Sequence, residues 1–368
     1  MKSLFHHSTP PSTSSNSPPQ QPSFPSFFLI VVLSSIVVAI SLVTMSQLDF
    51  KLILLLRSFH DPLVEKLGNI GNQLGHGNTL VVLSLLMGAI GWGLKHRELK
   101  LAGIQTLLSH AVAGLLTQGI KHLVGRPRPR FTHLGQWDSG PTMQSGLDSF
   151  PSGHTSATFA VAAVLACHFP RFTGLWYGGA LFVGISRVMR GSHFPTDVLA
   201  GAMLGYVIGA IVAHPLKHWR ESVIRALGTG LPWMLGALGL LWLIFKKQEQ
   251  GLFPDAMVWG GAGMVIIGWS LRLTQTIQTH HPIPAFNHTR FPTSILLMSA
   301  GLVLFTQSFT LTLLGLLTAI IWWVAYFSSN LGEEKTEMGS LIKVGALGAG
   351  LLSFLWLMQQ LKGLIPLM

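Results

Sequence analysis

Residues 27–45 read FFLIVVLSSIVVAISLVTM, nineteen positions without a charge or a proline. A helix that crosses a hydrocarbon core needs about 20 such residues, so this run is long and apolar enough to span a bilayer. The pattern recurs at Thr79–Leu94, Ala102–Ile120, Thr155–Phe169, Leu175–Val188 and Val198–Val212. It continues at Leu231–Phe245, Ala256–Leu271, Thr293–Phe327 and Leu341–Met358. Thr293–Phe327 is long enough for two short helices, and the expected total is about ten spans. Composition agrees: 10% of the 368 residues are Asp, Glu, Lys or Arg and 49% are hydrophobic, which excludes an ordinary soluble domain. The expected fold class is all-α, a polytopic membrane helix bundle.

Residues 1–26 are rich in Ser, Pro, Gln and Asn, a composition that cannot bury enough apolar surface to pack, and they are expected to form a disordered polar tail. The apolar run after them has the full length of a span and lacks a small-residue cleavage site, so it is expected to stay uncleaved. Between Asp49 and Asn72, Leu52, Leu55, Leu56, Phe59, Leu63, Leu67 and Ile70 recur at helical spacing among charged residues. That spacing suits a helix lying on the membrane surface or one packed outside it on the rest of the protein. A boundary is expected near residue 225. Residues 27–225 form a six-span core dense in related polar residues, and 226–368 form accessory transmembrane helices, about four in number.

The formal charge of +11 is scattered over short loops, which argues against nucleic acid and for anionic lipid headgroups as partners. One cysteine, Cys167, excludes a disulfide framework within the chain and a cysteine-based metal site. His280, His281 and His288 lie in a proline-interrupted loop without the ligand spacing of a zinc site, and Asn287-His288-Thr289 fits a glycosylation acceptor only as short triplets do by chance. No metal and no cofactor is expected. The sequence leaves open whether the chain forms oligomers.

Three clusters carry chemistry: Lys121 through Arg128-Pro129, then Pro151-Ser152-Gly153-His154, then Ser186-Arg187 through His193 and Asp197. Each sits at the end of an apolar run. Because successive spans alternate in direction, the run ending near Ile120 delivers Lys121 to one face, and the next begins after His154 on that same face. The chain returns there at Arg187 and leaves after Asp197. Lys121 and Arg128 alone could be interfacial anchors, Pro-Ser-Gly a helix start, and Asp197 a first-turn carboxylate favoured by the helix dipole. Their convergence on one face is what anchors and caps do not produce. Phosphoryl transfer needs its equatorial oxygens neutralised and its attacking and leaving groups held in line. Lys121, Arg128 and Arg187 supply the charge, and Ser152 and Gly153 at a helix N-terminus supply backbone N–H groups. Two histidines supply a nucleophilic nitrogen and a proton. His193 suits the first role, because Asp197 four residues on can hold one ring nitrogen and leave the other free; His154 is then the acid.

Lys121-x6-Arg128-Pro129, Pro151-Ser152-Gly153-His154 and Ser186-Arg187-x5-His193-x3-Asp197 together resemble the three-part signature of the type 2 phosphatidic acid phosphatase superfamily, with no position departing from it. The resemblance covers roughly residues 27–215. It implies that Lys121, Arg128, Ser152, Gly153 and Arg187 bind phosphate. It further implies that His154 donates a proton, His193 forms a phosphohistidine, and Asp197 orients His193. The expected activity is metal-independent hydrolysis of the terminal phosphate of a membrane phospholipid or polyprenyl diphosphate. A non-catalytic lipid transporter or headgroup-binding protein has no use for the two histidines and Asp197, and a vanadate-dependent haloperoxidase, from the same superfamily, does not fit membrane embedding. Gly201, Gly205 and Gly209, four residues apart, suit close helix packing that holds the His193–Asp197 corner rigid. Lys95, Arg97, Lys100, Arg171, Lys217, Arg220 and Arg225 fall opposite the three clusters. By the positive-inside rule the clusters are expected to face outward from a bacterial inner membrane, toward the periplasm.

Overall fold

The computed structural model describes residues 24–58, 62–131, 140–245, 255–278 and 291–306, with scattered positions between 308 and 321. These residues fold as α1 (Phe24–Ser58), α2 (Pro62–Leu74), α3 (Gly77–Gly93), α4 (Arg97–Val124), α5 (Gly153–His168), α6 (Thr173–Met189), α7 (Pro195–Val212), α8 (Trp219–Phe245), α9 (Asp255–Gln278) and α10 (Phe291–Thr306). No strand occurs among the described residues. The fold is all-α. The first six apolar runs fall in α1, α3, α4, α5, α6 and α7, and the next two in α8 and α9. The run Thr293–Phe327 opens as α10. The run Leu341–Met358, most of the polar tail, the loop histidines and the Asn287 triplet lie outside the described residues.

Helices α1, α4, α7 and α8 are each long and apolar enough to cross a membrane, and α2 with α3, bent by 53° at their junction, pass the same test as a pair. Val43 of α1, Leu85 of α3 and Leu115 of α4 are all more than half exposed on these helices. Such surfaces are costly in water and are ordinary solvent contact in hydrocarbon. The chain is an integral membrane protein.

The stretch Asp49–Asn72 is not one surface helix. Its first part continues α1 and carries Asp49, Leu52 and Ile53 into the interior. The second part is α2, which lies on α6 through the buried Gly68 and Gly71. A Cβ on Gly71 would come within 2.6 Å of the Ser186 hydroxyl, so only glycine permits this approach. Leu63, Leu67, Ile70 and Leu74 of α2 stay exposed on its other side, an apolar face turned outward as in an interfacial helix.

The main apolar core joins Ile30, Val37, Met45 and Leu48 of α1 to Leu231, Leu235 and Leu238 of α8. Helix α8 runs unbroken through Arg225, so the boundary suggested by the sequence falls inside a helix packed against α1 and α7. The glycine row of α7 packs on α5. A Cβ at Gly201 would stand 2.6 Å from the Ser152 carbonyl oxygen, and one at Gly209 would stand 2.7 Å from the Ala163 Cβ. This contact fixes α7, whose first turn carries Asp197, against α5, whose first turn carries His154.

Candidate active site

Four helix ends meet at one end of the bundle: the last turn of α4 (Lys121), the first of α5 (His154), the last of α6 (Arg187) and the first of α7 (Asp197). The Ser152 N–H donates to the Asp197 carbonyl at 2.9 Å, tying the start of α5 to that of α7. The N–H groups of Ser192 and His193 donate to the Arg187 carbonyl at 3.1 and 3.3 Å and turn the chain from α6 into α7, with Gly191 at φ 61° in the left-handed region that favours glycine. Pro195 opens α7 with its fixed φ and no N–H to satisfy.

His193 is buried, and its Nδ1 lies 2.7 Å from the carbonyl oxygen of Ser149. A carbonyl only accepts, so in the neutral ring Nδ1 carries the hydrogen and Nε2 holds the lone pair. The expected Asp197 contact is longer: the nearer carboxylate oxygen is 3.8 Å from Nδ1, beyond hydrogen-bond reach. The Ser149 carbonyl therefore sets the tautomer, and Asp197 sets the corner. Its Oδ2 accepts from the Ser149 hydroxyl at 2.5 Å and the Phe194 N–H at 2.7 Å, and its Oδ1 accepts from Arg126 at 2.5 Å. Burial pushes the His193 imidazole below the usual histidine range, while the nearby Asp197 carboxylate works in the opposite direction. The lowering favours the neutral ring.

His154 sits in the first turn of α5 with its Nε2 buried and without a hydrogen-bond partner among the described residues; the His76 ring lies edge-on at 6.1 Å. Lys121 and Arg187 are buried, and Arg187 donates to the Asn72 side chain of α2. Ser152 is fully buried and accepts from the Thr155 hydroxyl at 2.9 Å. A Cβ on Gly153 would meet nothing closer than 3.6 Å, so no described neighbour demands glycine there. Arg128 is partly exposed and grips Asp148 with both arms, Nε to Oδ1 at 2.8 Å and a terminal nitrogen to Oδ2 at 2.5 Å. Among the described residues no group of three or more His, Cys, Asp or Glu is placed to hold a metal.

The eight residues singled out from the sequence thus lie at one end of the bundle, on helix ends or in the loops joined to them. Four neighbours escaped notice. Arg126 donates to Asp197 at 2.5 Å, Thr196 at 2.7 Å and Asp49 at 2.8 Å, and stacks 4.0 Å over the Phe194 ring. Asp49, contributed by α1, also accepts from the Thr196 N–H at 3.0 Å and its hydroxyl at 2.5 Å. Asp148 and Asn72 hold the motif cations. The available signal was the rarity of charge: an Asp directly after a span and a second Arg-Pro pair beside the first both warrant suspicion at a membrane edge.

Residues 102–220 match the model of the PAP2 superfamily. The chain is 34% identical to a lipid A 1-phosphatase of Rhizobium johnstonii over 155 residues, 39% of this chain and 64% of that protein. It is 36% identical to decaprenylphosphoryl-5-phosphoribose phosphatase of Mycobacterium tuberculosis over 129 residues, 34% of this chain and 66% of that one. With phosphatidylglycerophosphatase B of Bacillus subtilis the identity is 30% over 164 residues, 41% of this chain and 75% of the relative. The match therefore spans a little under two thirds of the first two relatives and three quarters of the third. The chain belongs to the PAP2 superfamily.

Proposed function

We propose that this protein is an integral-membrane lipid phosphate phosphatase that removes a terminal phosphate through a phosphohistidine, without a metal. The observation that carries this reading is His193: a buried imidazole whose Nδ1 faces a carbonyl, leaving Nε2 as the nucleophile at the end of the bundle that also carries Lys121, Arg128 and Arg187. In the first step Nε2 attacks phosphorus, the bond to the lipid oxygen breaks, and His154 gives that oxygen its proton. In the second step His154 takes a proton from water, whose oxygen displaces Nε2 and releases inorganic phosphate. Lys121, Arg128, Arg187, the Ser152 hydroxyl and the backbone N–H groups at the start of α5 neutralise the equatorial oxygens throughout. Asp197 is a positioning residue that fixes the corner from which His193 projects.

Lipid A, a phosphorylated polyprenyl sugar and phosphatidylglycerophosphate, the substrates named for the relatives, present the same terminal group to such a cradle. A phospholipid or a polyprenyl diphosphate is the substrate class. The basic loops opposite the site support an active site facing outward from a bacterial inner membrane. The test is a single turnover on a panel of these lipids in detergent, with detection of an acid-labile, base-stable phosphoprotein. The reading predicts phosphate release and a phosphoprotein absent from His193→Ala. Phosphate release that persists in that variant would sink the assignment.

A further inference from the structure

We propose that Asp148 is a specificity-determining residue: its carboxylate occupies the phosphate cradle in the resting protein and admits only anions carrying more charge than itself. The proposal rests on the cradle binding phosphate, as argued above. The fork-to-fork grip of Arg128 on Asp148, at 2.8 and 2.5 Å, is the geometry that arginine offers two phosphate oxygens. Lys121 lies 3.5 Å from the same carboxylate. Asp148 thus engages two of the cations that the substrate must use. Arg128 and Lys121 outweigh the burial that would raise its pKa and hold it at about 2, so the occupant is an anion at any working pH.

The contact is built to open. The Asp148 side chain is 31% exposed. Its main chain is fixed on both sides, by Lys121 donating to its carbonyl at 2.6 Å and by the Ser149 N–H donating to the Arg126 carbonyl at 2.9 Å. Rotation of one side chain therefore frees Arg128 without moving the loop that orients His193. Two anions cannot share one guanidinium fork at close range without repulsion, so an arriving group must displace the carboxylate. A phosphodiester, with one negative charge, gains no more from Arg128 and Lys121 than Asp148 already does, and Asp148 competes from within the chain at high effective concentration. A terminal phosphate with two charges roughly doubles the Coulomb attraction and wins. Asp148 would thus exclude the abundant diester headgroups of a membrane from a site that reads phosphate.

The experiment uses the full chain in detergent and two non-hydrolysable probes: phenylphosphonate, at a pH above its second ionisation, and its monoanionic monomethyl ester. Wild type should bind the dianion and discriminate strongly against the ester. Asp148→Asn should bind the ester about tenfold tighter, the scale expected when a partly exposed bidentate pair no longer has to be broken, with a smaller gain for the dianion. Asp148→Ser serves as a second variant, and monodispersity confirms that each is folded. Weaker or unchanged binding of both probes in both variants would overturn the proposal and make Asp148 a mere holder of the cations. Wild-type turnover with an unaltered preference in the variants rejects this inference alone; absence of both turnover and probe binding in wild type rejects the phosphatase reading and the filter with it.

Discussion

Arg126 and Arg128 are two residues apart, each precedes a proline, and each grips a carboxylate, yet they do opposite work. The Arg126 set is closed: the arginine side chain is 3% exposed, Asp49 and Asp197 are fully buried, and the carboxylates also take N–H and hydroxyl donors from Thr196, Phe194 and Ser149. The Arg128 set is open, with 19% of the arginine and 31% of Asp148 exposed. A closed set of charges, out of reach of solvent, is stable only while every member is present. An open set can exchange its anion. The lesson is that two Arg-Pro pairs alike in sequence are told apart by burial: one arginine is sealed among its carboxylates and the other is open to solvent.

The largest expected effect tests the closed set. Arg126→Ala or Asp49→Ala leaves a buried charge without its partner and should cost about 3–5 kcal/mol of stability, read as a drop in Tm and loss of monodisperse protein. Arg126→Lys should recover only part of it, since an ammonium cannot serve three residues as the fork does. Arg128→Ala, in contrast, should stay folded and lose about 3 kcal/mol of transition-state stabilisation, roughly 150-fold in kcat/KM. His193→Gln should stay folded without turnover. Equal losses of stability at Arg126 and Arg128 would erase the contrast.

Helix α8 offers a second way to probe it. The helix packs against α1, which carries Asp49, so ending the chain at Arg225 should lower Tm, whereas ending it after Phe245 should keep activity on a short-chain lipid. Loss of activity in the chain ended after Phe245 would mean that the helices beyond α8 help to shape the cradle. Trp259 and Trp269 on α9 are largely exposed, as lipid-facing indoles are.

Acid titration sharpens the contrast at smaller scale. Burial lowers the pKa of His193, so the neutral, attacking form persists below the ordinary histidine value of about 6.5. The acid limb of kcat/KM should fall there, with activity lost as pH drops through it. Asp148, held at about 2, has a folded pKa below its unfolded one. Its contribution to stability is therefore present above about 3.9 and fades as pH falls toward 2, and Asp148→Asn should leave the acid limb of activity in place. The smallest effect is expected from EDTA: activity should survive it, and strict dependence on added magnesium would indicate another mechanism.

Much of this was legible in the sequence. Alternation of spans brought Lys121, His154, Arg187 and His193 to one face, because a helix that crosses a bilayer must deliver its ends to opposite sides. The helices holding the first six apolar runs, α1 and α3 to α7, were legible from the length and apolarity of those runs. The fate of Asp49 was not: helical periodicity from Asp49 to Asn72 is the same whether a helix lies on a surface or continues a span, and only the partner at Arg126, 77 residues away, decides between them. The tautomer of His193 was also hidden, since the carbonyl of Ser149 that sets it has no signature in residue type. Asp197 at the fourth position after His193 suggested a direct contact, but three closer donors claim its oxygens.

The reach of Asp49 has a consequence for biogenesis. Its partners lie 77 residues on, at Arg126, and 147 residues on, at Thr196. As the chain leaves the ribosome, Asp49 enters the membrane edge unpaired and stays so until α4 has been made. Arg126 then neutralises it, but the corner at His193 can lock only when the start of α7 arrives. The closed set of charges is therefore complete only once α1, the Arg126 loop after α4 and the first turn of α7 are all in place. A chain that stops between α4 and α7 carries that set half met.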